Sequence, residues 1–367
     1  MPVIEKKRIY FLDMMRALAV LMMVEGHTID AFLSDSFRNS DSLVYTIWFG
    51  IRGFTAPIFM FTSGVVFTYL LRLNKQQFFE NPRVKKGFIR FITLVVIGYL
   101  LRYPTYTFFD FSVVTRTQWM IFFTVDALHL IGFGLLFVLI LTLIIEILKA
   151  KDWIVFLFGS LFFFGMFMVT EKITWTNYLP IPFAAYFYHG TGSFFPFFPW
   201  AGYVIGGAIL GSFLAHNPES FTSNSFSKKM LYIGSSILAV AILLDVSERI
   251  FYVGNVLWID NISIIALRIG VVLILNGIMS FIALKIKKIP EIVKQIGRHT
   301  LLIYAVHVII LYGSAWLPGM DQILHKRLNV LESVIAAVIM IFLMIGMVVL
   351  LEKYKLFRKN KLASAEI

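Results

Sequence analysis

Residues 9–33 read IYFLDMMRALAVLMMVEGHTIDAFL, and this stretch indicates what kind of protein the chain forms. It is mostly apolar and about 25 residues long, whereas about 20 apolar residues suffice for a helix to cross a hydrocarbon layer. A basic run at residues 6–8 precedes it, as in a secretory signal peptide. The stretch is nevertheless too long for a signal peptide, lacks a small-residue cleavage site and contains Asp13 and Arg16. We therefore predict a retained first transmembrane helix.

Similar apolar stretches recur along the chain. The sequence is 59% hydrophobic and only 15% charged, whereas a soluble domain carries about 25% charged residues. The composition predicts an all-α, polytopic helical membrane protein with about ten transmembrane helices. Residues 1–367 form a single predicted domain, with the bundle at about 9–351 and a short basic cytoplasmic tail at 352–367. The predicted spans are 9–33, 45–72, 87–104, 118–148, 152–170, 198–214, 229–247, 260–284, 299–317 and 331–351.

The net charge of +12 follows the predicted topology. Most Lys and Arg residues fall in alternate connections between the spans, which places those connections and both termini in the cytoplasm. The basic charge is then expected to meet anionic lipid headgroups rather than nucleic acid. The sequence has no cysteine, no His pair with zinc-protease spacing and no phosphate-binding loop. These features predict neither a metal site nor nucleotide hydrolysis.

Three ionisable residues share one face of the first span. With 100° per residue, Asp13, Arg16 and His27 lie within about 60° of one another, and Arg16 and His27 are separated by about 16 Å along the axis. Charged groups at membrane depth are costly and often mark a site. Asp13 and Arg16 also fit an ordinary i,i+3 pair near the interface. For His27, with Glu25 and Asp30 nearby, a functional role is favoured.

Other spans carry further candidates. Arg52 lies in the second span. Asp126 and His129, in the fourth, are compatible with a dyad that orients an imidazole and equally with a buried structural pair. For His307, in the ninth span, a packing or hydrogen-bonding role is favoured, and the alternative is that it lines the same cavity as the other candidates. Ser63 and Gly64, in the second span, favour close helix packing over the supply of a nucleophile.

Five strings carry a resemblance to a known family. RIYFLDMMRALAVLMMVEGHT (8–28) resembles the first helix of multi-pass transmembrane acyltransferases, in which an Arg, ten residues and a His recur as Arg16 and His27 do. The strings at 49–67, 126–136, 196–211 and 296–307 read FGIRGFTAPIFMFTSGVVF, DALHLIGFGLL, PFFPWAGYVIGGAILG and IGRHTLLIYAVH. Together with the first, and in the same order, they resemble segments of bacterial relatives of the heparan-alpha-glucosaminide N-acetyltransferase catalytic domain.

The resemblance implies transfer of an acetyl group from cytoplasmic acetyl-CoA to an amine or hydroxyl of an extracytoplasmic sugar or glycan. His27 would deprotonate the acceptor, and Arg16 or Arg52 would stabilise the carbonyl oxyanion. The remaining assignments are CoA binding for Arg8 and Arg298, and substrate binding for Asp13, Asp126, His129 and His307.

The implied surroundings are those of a bacterial cytoplasmic (inner) membrane enzyme in contact with membrane lipid, and a homodimer is compatible with the sequence. Two other interpretations stay open at this stage. A transporter or flippase of a sugar-linked or lipid-linked solute would use the same polar face without consuming CoA. A non-catalytic membrane scaffold would need Arg16 and His27 only for stability.

Overall fold

The computed structural model of the chain describes residues 8–74, 76–251, 261–286 and 289–363. The two ends of the predicted domain, residues 1–7 and 364–367, and the predicted start of the eighth span at residue 260 lie outside the described residues. The described part is helical and contains no β-strand. The predicted all-α class is confirmed.

The helices are, in chain order, α1 (Tyr10–Phe32), α2 (Leu43–Arg52), α3 (Thr55–Arg72), α4 (Pro82–Leu101), α5 (Arg116–Phe123), α6 (Ala127–Leu148), α7 (Asp152–Thr170), α8 (Ile181–Ala184), α9 (Phe197–His216), α10 (Asn224–Phe251), α11 (Ile262–Lys285), α12 (Glu291–Arg298), α13 (Thr300–Tyr312), α14 (Asp321–Leu324) and α15 (Val330–Ala363).

Each of the ten predicted spans coincides with helix. Within the described ranges, seven helical segments are long and apolar enough to cross a membrane. They are the α2–α3 segment, α6, α7, α9, α10, α11 and the α15 segment. The helices α1 and α4 have the length but carry more charge, and α13 is shorter. The chain is thus a polytopic helical membrane protein, while the count of ten stays a prediction.

Two of the predicted spans contain a break between two helices. The second span breaks at Gly53, between α2 and α3. The fourth breaks between α5 and α6, where the Asp126 side chain caps α6 and the Val125 carbonyl accepts hydrogen bonds from two backbone N–H groups of the 194–195 segment. Hydropathy does not reveal these breaks, because the residues around them remain largely apolar.

The last helices also differ from the prediction. Helix α13 ends at Tyr312 rather than at 317, because Gly313 adopts a φ of +80° that terminates the helix. Helix α15 continues to Ala363, beyond the predicted end at 351. Part of the predicted tail is therefore helical.

The helices group into two compact units. The terminal unit comprises Tyr10–Thr55 and Ile286–Ile367, and the long unit comprises Met1–Ile9 and Ala56–Lys285. The terminal unit brings the first helices of the chain together with the last ones. Accordingly, residues far apart in sequence meet there.

Glycines set the helix packing of the long unit. A Cβ added to Gly64 of α3 would collide with the Val204 carbonyl of α9, and one added to Gly207 of α9 would collide with the Phe61 carbonyl of α3. Small residues allow membrane helices to approach until their backbones touch. The packing role predicted for Gly64 is confirmed.

In the terminal unit, α1 is packed by α12, α13 and α15. Gly297, at the end of α12, lies so close to α1 that a Cβ there would stand 2.8 Å from the Asp13 carbonyl oxygen. The first and last of the quoted strings, residues 8–28 and 296–307, therefore pack on each other. The polar face of α1 is the face that receives them.

The other end of α1 is tied to the segment before α15. The backbone N–H groups of Lys326 and Leu328 donate to the carbonyls of Ala31 and Phe32, over 3.0 and 2.9 Å. The Lys326 ammonium lies 2.9 Å from the Asp35 carboxylate, and its hydrogen bond lowers the pKa of that carboxyl below the ordinary value. These contacts fix the position of α1 relative to the last helices.

Candidate functional site

The predicted face of α1 meets α13 through two pairs of side chains. His27 and His307 are in contact, with 3.0 Å between His27 Nδ1 and His307 Nε2. Eleven residues earlier on α1, Arg16 Nη2 donates to Thr300 Oγ1 over 3.3 Å. Arg16 and His27 are partly exposed, whereas His307 is fully buried. The structure thus brings together two predicted site residues, His27 and His307.

Arg52 is held beside this pair by a carboxylate of α1. Arg52 Nη2 lies 2.8 Å from Asp30 Oδ2, and Arg38 Nη1 lies 3.1 Å from Asp30 Oδ1. Asp30 follows His27 by three residues, so the two side chains are neighbours on the helix surface. The Arg52 stem also crosses Gly26, where a Cβ would stand 3.3 Å from Arg52 Cγ. The last residue of α2 is therefore fixed within about one helical turn of His27.

Trp48 strengthens the same attachment of α2 to α1. Its indole Nε1 donates to the Glu25 carboxylate over 2.7 Å, and the Arg52 guanidinium lies 5.7 Å from the Trp48 ring centroid. At 100° per residue, Glu25 lies about 120° from Asp13 around the helix and so outside the polar face. The structure shows it supporting α2.

Replacing Asp30 by Asn is expected to lower the free energy of unfolding by about 1–2 kcal/mol, because two guanidinium groups lose their shared carboxylate. The value lies between those of exposed and buried pairs, since the Asp30 side chain is 32% exposed. Thermal and denaturant unfolding of purified protein in detergent measure the effect. Asp35→Asn is the matched control: its carboxylate also pairs with two cations, Lys326 and Arg38, but it is 66% exposed, so its loss should cost less. Equal losses in both variants would contradict the structural role given to Asp30.

The Arg16 end of the terminal unit carries several cations. Lys294 lies 5.8 Å from the Tyr10 ring centroid and 2.8 Å from Glu291. Arg298 ends α12, is about half exposed and lies 3.4 Å from Glu291. At the same end, His299 Nε2 lies 2.8 Å from Glu352 of α15. Lys355 lies 3.0 Å from the same Glu352 carboxylate. Arg16, Lys294, Arg298 and Lys355 therefore outnumber the carboxylates of Asp13, Glu291 and Glu352 at this end by one, and we call this cluster the basic surface.

Arg8, the other residue assigned to CoA, stands two residues before α1 and is partly exposed. It falls in the long unit, whereas Arg298 falls in the terminal unit. Both assignments remain predictions.

Asp126 and His129 belong to the long unit, not to the unit that contains His27. Asp126 caps α6 by accepting from the backbone N–H groups of Leu128 and His129, and its Oδ1 lies 2.9 Å from His129 Nδ1. The His129 ring is fully buried and packs against Gly98, where a Cβ would stand 2.8 Å from Nε2. The cap is a structural role and the Asp–His contact is the one that a dyad needs, so the geometry fits both interpretations. The assignment of the pair to substrate stays a prediction.

The model of the family described as heparan-alpha-glucosaminide N-acetyltransferase, catalytic, matches residues 8–246, more than half of the chain. The chain belongs to this family. The family points to an acetyltransferase enzyme. No curated protein was found to match the chain.

The family match covers only part of the candidate site. It runs from just before α1 into α10, so it contains Arg16, His27 and Arg52. It ends before α12 and α13, which carry Arg298 and His307. The half of the histidine pair contributed by α13 thus lies outside the matched segment.

Several residues of the site were missed by the sequence predictions. Asp30 was noted only as a neighbour of His27, although an acidic residue one turn from a candidate base and a second intramembrane cation, Arg52, together signal an ion pair. Thr300 and Trp48 gave no signal, because an uncharged polar residue in an apolar span is common. Only the fold shows that Thr300 faces Arg16 and that Trp48 reaches Glu25.

Proposed function

We propose that this chain is an acetyl-CoA-dependent acyltransferase that acetylates an amine or hydroxyl of an extracytoplasmic sugar or glycan. The observation that carries the proposal is the face of α1, which presents a partly exposed imidazole at His27 and a guanidinium at Arg16, about 16 Å apart along the axis. An acyl transfer across a membrane needs a base near the acceptor and a cation near the donor. Family membership supplies the reaction class.

In the proposed reaction, His27 takes the proton of the acceptor amine or hydroxyl, since a neutral imidazole is a competent base near neutral pH. The acceptor lone pair then forms a bond to the acetyl carbon. The carbon–sulfur bond breaks, and the CoA thiolate leaves with the proton that the imidazolium returns. The proton taken from the acceptor ends on the CoA thiol, and the electron pair of the broken carbon–sulfur bond stays on sulfur, so the reaction needs no further reactant.

Arg52 is the proposed stabiliser of the carbonyl oxyanion. Asp30 holds it within about one turn of His27, and a guanidinium has five N–H donors, more than the contact with Asp30 uses. Fixed donors stabilise developing charge because they need no reorganisation during the reaction. Arg16 is the alternative for this role. Its position at the basic end of α1 favours a role in binding the donor, acetyl-CoA, instead.

The basic surface at the Arg16 end is proposed to bind the phosphates of acetyl-CoA, with Arg298 as a participant. The assignment of Arg8 to CoA rests on the sequence alone. Guanidinium groups suit phosphate because they bind it through paired hydrogen bonds. With both termini cytoplasmic, as the charge pattern predicts, this end faces the cytoplasm and His27 the opposite side. We place the enzyme in a bacterial cytoplasmic membrane.

Acetyl-CoA is expected to raise the thermal unfolding temperature of the purified protein, because a ligand that binds only the folded state stabilises it. Arg16→Ala should abolish most of the shift. Arg327→Ala, which removes an exposed arginine near the opposite end of α1, is the matched control and should retain it.

Absence of any shift at millimolar acetyl-CoA in the wild type, together with flux of an intact sugar-linked solute, would contradict the proposal and favour a transporter. Equal acetyl-CoA-induced shifts in the Arg16 and Arg327 variants would contradict only the role of Arg16 in binding acetyl-CoA, not the proposed reaction.

A further inference from the structure

The two histidines of the terminal unit meet edge to edge. Their ring centroids are 5.3 Å apart and their planes are inclined by only 21°. His27 Nδ1 and His307 Nε2 are 3.0 Å apart. The rest of the centroid separation is about the sum of the two ring radii, so both nitrogens lie close to the line that joins the centroids. The rings are thus nearly coplanar, and the contact between the nitrogens is a hydrogen bond in the ring planes rather than face-to-face stacking.

The backbone of α13 shows which nitrogen of His307 carries the proton. His307 Nδ1 lies 2.7 Å from the carbonyl oxygen of Ile303, one turn earlier on the same helix. A carbonyl oxygen can only accept, so Nδ1 of His307 must donate. Full burial of His307 favours its neutral form. In a neutral imidazole with a proton on Nδ1, Nε2 is an acceptor.

The proton of His27 follows from the same argument. Because His307 Nε2 accepts, the hydrogen between the two rings belongs to His27 Nδ1, and the lone pair of neutral His27 is on Nε2. We propose that His307 is a positioning residue that holds His27 in the Nδ1–H tautomer, with Nε2 as the basic nitrogen. The inference deepens the proposed function and rests on it for its catalytic meaning.

Two tyrosines restrict the rings further. The Tyr304 ring meets His307 edge-on at 5.7 Å between centroids, and the Tyr312 ring meets His27 edge-on at 6.2 Å. The Tyr312 hydroxyl also donates to the His27 carbonyl over 3.4 Å. Ring rotation of either histidine would have to disturb these contacts as well as the bond to Ile303.

His307 then has two effects on the proposed reaction. Before the reaction it keeps the proton off His27 Nε2, the atom that must receive the proton of the acceptor. Once that proton arrives, His27 is an imidazolium whose Nδ1–H still points at the lone pair of His307 Nε2. A carboxylate fills this place in the serine-protease triad, whereas a neutral imidazole stabilises the cation without adding a charge to the apolar surroundings.

The chain allows a matched pair of variants at His307. The side-chain amide of Asn reaches about as far as Nδ1 of histidine, and that of Gln reaches about as far as Nε2. His307→Asn therefore keeps a partner for the Ile303 carbonyl but loses the acceptor for His27. His307→Gln offers its carbonyl oxygen at that acceptor position.

The test combines nitrogen-15 NMR of histidine-labelled protein in lipid nanodiscs with acetyl-transfer kinetics. The His27 signals are assigned from their loss in His27→Gln. The wild type should show a protonated Nδ1 and an unprotonated Nε2 at His27, and His307→Asn should lose this preference. The kcat of His307→Asn should fall about 100-fold with little change in the KM for acetyl-CoA. The kcat of His307→Gln should be about ten times that of His307→Asn. His325→Asn, at an exposed histidine, should have the kcat of the wild type.

A wild-type His27 protonated on Nε2 and not on Nδ1 would overturn the inference, and so would equal tautomers and rates in the Asn and Gln variants. The wild-type spectrum needs no variant, so misfolding of one does not affect this result. Wild-type protein with the expected tautomer but without acetyl transfer to any acceptor would instead overturn the proposed function. The spectra and the kinetics therefore separate the two failures.

Discussion

The kcat for acetyl transfer of His27→Gln is expected to fall by about 10²–10⁴-fold, the usual contribution of a general base. Glutamine preserves the approximate length and polarity of histidine but has no basic nitrogen. The KM for acetyl-CoA should change little, because the donor is proposed to bind toward the Arg16 end of α1. Steady-state release of CoA, followed with a thiol reagent, measures both constants.

His325→Gln is the matched control for this experiment. It makes the same substitution at an exposed histidine of the terminal unit, whose partner is Asp321 at 2.9 Å. Its rate should equal that of the wild type. A folded His27→Gln protein with more than about a tenth of the wild-type kcat would contradict the role of His27 as the base.

Gly207→Val is expected to have the largest effect on stability, a loss of about 3 kcal/mol or more. The valine Cβ would collide with the backbone carbonyl of Phe61, and a backbone atom cannot move aside as the end of a flexible side chain can. Helices α3 and α9 would have to separate and give up the contacts around Gly64 as well. Thermal aggregation and SDS-induced unfolding of the solubilised protein measure the loss.

Gly165→Val provides the comparison. Gly165 lies on the exposed surface of α7, and a Cβ there would meet no atom within 4 Å among the described residues. The same side chain in another membrane helix should therefore be tolerated. If both valine variants proved as stable as the wild type, the close crossing of α3 and α9 would be wrong.

Hydropathy and residue spacing predicted much of the fold, because a membrane span is defined by a local property of the sequence. The bounds of α7 agree with the predicted span at 152–170, and the apolar composition was sufficient for the all-α class. The breaks at Gly53 and before Asp126 could not be predicted in this way. The break before Asp126 depends on the Asp126 cap and on hydrogen bonds from the distant 194–195 segment, which do not change the apolar character of the span.

The candidate site was predicted in part. The shared face of Arg16 and His27 follows from helical periodicity alone, and the structure gives both residues partners on α13. The pairing of His27 with His307 could not follow from the sequence, since it joins residues 280 positions apart. The contact of Asp126 with His129 follows from their i,i+3 spacing, whereas the cap that Asp126 makes at the start of α6 is shown only by the structure.

The central claim is that an acetyl group crosses the membrane from acetyl-CoA to a sugar. The most direct measurement uses sealed proteoliposomes with an amino-sugar and hydroxyl-sugar panel inside and acetyl-labelled acetyl-CoA outside, where the proposed cytoplasmic side faces outward. We expect label on an internal sugar, one CoA released outside per acetyl transferred, and loss of both in His27→Gln. Passage of an intact sugar without CoA release, or no labelled product across the whole panel, would contradict the account.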